Sequence, residues 1–60
     1  MTEDPDIRRA ANFMIERHGA NAAFVARARV LELLQIGESD AAKIWQQIAE
    51  AIIELSNSQY

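Results

Sequence analysis

The segment from Asn21 to Ile36 constrains this 60-residue chain most, because its apolar residues reach most of the way round a helix. At about 100° per residue they divide into two stripes. Ala22, Val25, Ala26, Val30, Leu33 and Ile36 form one; Ala23, Phe24, Leu31 and Leu34 form the other. Only the arc through Ala28, Glu32 and Gln35 suits water. Two neighbours in a small bundle cover about half of a helix's circumference, so Phe24, Leu31 and Leu34 are expected to be left for another chain.

Punctuation predicts three helices. Asp4 can cap free backbone N–H groups, Pro5 suits a first helical position and Asp6 complements the helix dipole, so helix one starts near Pro5. It is expected to end at His18, before Gly19 in a left-handed conformation, with Arg17 and His18 near the terminal carbonyls. Ile7, Ala10, Ala11, Met14, Ile15 and His18 share its inner face, while Phe13 falls outside that stripe beside Arg9 and Arg17. Helix two starts at Ala20 or Asn21, the latter being the better cap, and ends before Gly37. Within Gly37-Glu38-Ser39-Asp40, Gly37 stops helix two and Ser39 caps helix three, a turn short enough to make them antiparallel neighbours. Ala41, Ile44, Trp45, Ile48, Ala51, Ile52 and Leu55 line one side of helix three, with Lys43, Gln47, Glu50 and Glu54 opposite. The expected fold is an all-α three-helix bundle over about 5–18, 21–36 and 40–55, one small helical domain spanning 1–60 that self-associates.

Length supports the association. A chain of this size buries only about 60% of its unfolded surface, and such domains are usually stapled by disulfides, a metal or oligomerisation. With no Cys and a single His, the first two are not expected, nor is any cofactor. A balance of 50% hydrophobic to 25% charged residues argues against a disordered acidic tail. The acidic start lacks the basic head and apolar core of a secretory signal, and no apolar run is long enough to span a membrane, so a cytoplasmic protein with no membrane partner is expected. Met1 and the polar tail Ser56-Asn57-Ser58-Gln59-Tyr60 suggest a complete small reading frame. A net charge of −3 gives no general attraction for phosphate.

Residues able to carry chemistry are sparse. His18 has no organised nucleophile or carboxylate beside it and reads better as the closing residue of helix one. There is no Gly-rich phosphate loop and no nucleophile motif, so the chain is not expected to be an enzyme. Trp45 has the spacing of a core anchor, with its indole N–H at the core edge. Arg27 and Arg29 each fall within an apolar stripe, where a charge is costly unless paired. Glu16, Glu32 and Glu50 are in-chain mates; an acid of another chain or a bound anion would also serve. A helix-turn-helix reading fails on helix three, which offers Lys43, Gln46 and Gln47 among Asp40, Glu50 and Glu54, so nucleic acid is an unlikely partner. Arg8 and Arg9 make too small a basic cluster to change this.

The residues therefore read as a small interaction or accessory protein that forms a homo-oligomer, with Phe13, Phe24, Leu31, Leu34 and Arg27 as its interface. The alternative is a small regulatory DNA- or ligand-binding protein. The pattern His18-Gly19, Ala22, Arg29, Leu33, Gly37, Ala41 or Ala42, Trp45 and Ile48 resembles a group of very small alphaproteobacterial helical proteins with no assigned activity. In these an Ala-rich helix ends in His-Gly, a second helix carries Arg and ends at Gly-Asp, and a third carries a Trp. The resemblance covers most of residues 7–55, with Glu38 in place of the common Asp. It implies a cytoplasmic helical protein in which Arg29 and His18 serve the architecture, and it implies no substrate.

Overall fold

A computed structural model describes residues 4–57, so residues 58–60 of the polar tail and the first three residues lie outside it. The described residues are almost wholly helical and contain no strand. They form α1 (Pro5–His18), a single 3₁₀ turn (Gly19–Asn21), α2 (Ala22–Gln35) and α3 (Ser39–Asn57).

The start of α1 follows its sequence signals. Asp4 is extended and accepts the Asp6 N–H at 2.9 Å, with Pro5 at the first helical position. At the other end Gly19 takes φ 56°, ψ −127°, and its N–H donates to the Ile15 carbonyl. Beyond Gly19 the expectation needs correcting. Only one junction leaves helical structure, so the chain has two helical runs, 5–35 and Ser39–Asn57, and not three helices separated by turns. Gly19 redirects the backbone, yet it begins a 3₁₀ turn that leads straight into α2. Asn21 is itself helical (φ −89°, ψ −1°) and its side chain makes no capping bond, so α2 begins at Ala22 and not at the expected cap.

The second junction matches its reading more closely. Gly37 has φ 82°, its N–H donates to the Leu34 carbonyl at 3.2 Å, and the Glu38 N–H donates to Leu33 at 2.8 Å. This pair of bonds satisfies the last carbonyls of α2 in a Schellman motif. The helix ends at Gln35, one residue early, and α3 is longer than the expected 40–55. Ser39 is its first residue and not its cap, because the Ala42 N–H already donates to Glu38 at 3.0 Å.

α2 packs most extensively on α3, and α1 folds back mainly onto α3. Ile7, Ala11 and Met14 of α1 meet Ala22 and Ala26 of α2 and Ile48, Ala49, Ala51 and Ile52 of α3. Ala10, Ile15, Val25, Trp45 and Leu55 pack on this core and are half-buried. His18, expected on the inner face, is exposed. Six of the ten buried apolar residues are alanine, so the helices approach closely but each contact removes little area from water. The larger core side chains of the hairpin lie at 48–52 of α3, away from Gly37, while Leu31, Leu34, Ile36 and Ile44 are exposed. Ile36 and Ile44 were expected inside; Ile36 lies past the end of α2, and Ile44 is exposed although Ala42, nearer the turn, is buried.

Candidate interaction surface

Five residues were expected to form an interface, and four lie together on α2. Phe24, Arg27, Leu31 and Leu34 are spaced three, four and three apart, which sets them within an arc of about 80° on one side of the helix. Phe24 is 74% exposed, Leu31 63% and Leu34 54%, while the opposite side of α2 is occupied by buried Ala22 and Ala26. Single exposed apolar residues are unremarkable, but three large ones in register make a continuous apolar strip along the helix. Phe13 does not join them by any observed contact. It is 56% exposed on α1, and the Arg17 guanidinium lies over its ring, 5.3 Å from the centroid.

The stripe borders a groove of about 430 Å³ between α2 and α3. Arg27, Val30 and Leu31 make one wall, and Gln46, Ala49, Glu50 and Ile53 make the other. No α1 residue lines it, so this face of the hairpin is open. Sequence reasoning missed the α3 wall. Its signal was present in the spacing of 46, 49, 50 and 53, three, four and seven residues on from the first, and in the Ile52-Ile53 pair, which puts one apolar group in the core-facing stripe and a second beside it.

The two arginines fare differently. Arg29 pairs with Glu32 at 3.3 Å and also lies over the Trp45 ring, 5.9 Å from its centroid. Both partners are in the same chain, which accounts for a charge at the edge of the buried stripe. Arg27 has no ion pair among the described residues, and neither does Glu50 across the groove. Opposite charges thus face the same apolar trough without reaching one another.

A second, shallower cleft gathers Met14, His18, Val25, Ala28, Arg29, Glu32 and Trp45. Its cation is already held by Glu32 and Trp45, so the site does not call for an anion. Among the described residues no group of three or more His, Asp or Glu side chains is placed to hold a metal ion, and no helix is long and apolar enough to cross a membrane. Comparison with known protein families, curated proteins and solved structures found no match.

Proposed function

We propose that this chain is a small helical interaction protein that associates with copies of itself through the outer face of α2. The observation carrying this reading is the alignment of Phe24, Leu31 and Leu34 along a face that none of the described residues covers. An alanine-dominated core makes such a contact thermodynamically useful, since intermolecular burial adds apolar area that the fold itself lacks.

Solution mass by sedimentation, compared between the parent chain and Leu31→Glu, tests the reading. The parent is expected to sediment above its 6.7 kDa monomer mass, and Leu31→Glu to return it to a monomer with its helical circular dichroism retained. Ala28→Glu, on the wet side of α2, serves as the control and should leave the mass unchanged. A parent that stays monomeric up to high concentration, or a Leu31→Glu chain of unchanged mass, would overturn self-association through this stripe.

A further inference from the structure

Resting on that reading, we infer that two copies join hairpin to hairpin about a two-fold axis parallel to α2 and α3. In this arrangement α2 of each copy lies on α3 of the other, and Arg27 of one pairs with Glu50 of the other. The open face carries both halves of such a contact. Its α2 wall holds a cation, unpaired among the described residues, beside Val30 and Leu31, with exposed Phe24 and Leu34 on the same side of the helix, and its α3 wall holds a carboxylate, likewise unpaired, beside Ala49 and Ile53. A surface of that composition is complementary to itself, as an isologous interface requires.

The symmetry axis follows from heights along the hairpin. Arg27 lies ten residues before Gly37 and Glu50 eleven after Ser39, so each stands about 15–17 Å from the turn at 1.5 Å per residue. An axis along the hairpin exchanges the two walls and keeps every height, which sets each Arg27 over the other copy's Glu50. The same operation places Phe24, about 20 Å from the turn, over Ile53 at about 21 Å, and Leu31, at about 9 Å, over Gln46 at about 10 Å. An axis across the hairpin would lay α2 on α2, putting both Arg27 side chains on one apolar seam and leaving both carboxylates outside it. The parallel axis also makes every neighbouring helix antiparallel, so helix dipoles are opposed within the four-helix layer.

Charge exchange tests the pairing separately from association. In Arg27→Glu homodimers Glu would face Glu50, and in Glu50→Arg homodimers Arg would face Arg27, so each single variant should dissociate about ten-fold more readily than the parent. An equimolar mixture of the two has opposite charges at both sites of the mixed dimer. It should therefore associate to within about three-fold of the parent, as should the double variant R27E/E50R. The parent's dissociation constant should rise with added salt, a readout that needs no variant. Sedimentation equilibrium, with circular dichroism to verify helicity, reads all of these. If the parent dimerises and Leu31→Glu breaks it, yet the single charge variants match the parent or the mixture is no tighter than either alone, the pairing is wrong and self-association stands. A monomeric parent overturns both.

Discussion

Among the described residues Ile52 is the largest side chain that is fully enclosed, and it is one of only four large ones in a core otherwise made of alanine. Removing it as Ile52→Ala is expected to cost about 2–4 kcal/mol, a large share of the roughly 3–5 kcal/mol that a core of this size supplies. Thermal melting followed by circular dichroism should show a strongly lowered, broadened transition. Ile36→Ala is the matching control: Ile36 is exposed beyond the end of α2, so its loss should stay within about 0.5 kcal/mol. The two glycines make a second contrast. A Cβ at either meets nothing within 4 Å, so the cost of Gly→Ala is conformational alone. Gly37 occupies the position of a Schellman motif that Asn also tolerates, and Gly37→Asn should be nearly neutral. Gly19 combines φ 56° with ψ −127°, outside the left-handed helical region open to Asn, so Gly19→Asn should lower the melting temperature clearly more than Gly37→Asn.

At the scale of elements, α2 has two unlike sides. One face carries Ala22 and Ala26, which let other helices approach closely; the other carries Phe24, Leu31 and Leu34, each more than half exposed. Replacing the outer set together, as Phe24→Gln with Leu34→Gln, should abolish association while the monomer's helical content holds, measured by sedimentation and circular dichroism on the same samples. Much of this element was legible beforehand, because a period of 3.6 separates the stripes whatever the tertiary structure does. Ala22, Ala26 and Val25 did turn inward, and of the outer stripe Phe24, Leu31 and Leu34 are exposed while Ala23 is half-buried against the core. What sequence could not supply was how much of each apolar stripe a neighbouring helix would cover. Ile36 and Ile44 satisfy the angular rule and are exposed, whereas Ala42, nearer the turn than Ile44, is buried. The 3₁₀ turn was hidden for a related reason. Asn21 is a good cap by chemistry, and only the path that Gly19 imposes decides whether its side chain can bend back to a free N–H. Half of the groove was missed because Gln46, Ala49, Glu50 and Ile53 look like the rim of an ordinary amphipathic helix until α2 is set beside them.

For the whole molecule, stability and assembly become one equilibrium. A species that associates only when folded is stabilised by mass action, so its melting point depends on how much protein is present. If the chain dimerises as proposed, each ten-fold rise in concentration above the dissociation constant should add about 1.4 kcal/mol per dimer, or about 0.7 kcal/mol per chain, which for a domain of this size raises the melting temperature by several degrees. Calorimetry over a dilution series checks this, and Leu31→Glu should melt at one temperature throughout. Surface ion pairs should contribute little to that figure. Arg9–Asp6, 4.0 Å apart, and Arg29–Glu32 are both solvent-exposed pairs within one helix, the kind that adds a few tenths of a kcal/mol and fades with salt.

The Gly37 junction also sets an order of events in time. It joins α2 to α3 through so few residues that their pairing needs only a small loop closure, a step of about 10–100 ns, and helical chains rich in such local contacts fold within microseconds to milliseconds. Encounter between copies at micromolar concentration, with ordinary association rates of about 10⁵–10⁷ M⁻¹s⁻¹, takes from tenths of a second upwards. A chain that associates as proposed would therefore complete its hairpin alone and then wait, with Phe24, Leu31 and Leu34 in water, for a collision. That interval would lengthen as the protein grows scarcer, leaving more copies in the form that any other apolar helix can capture first.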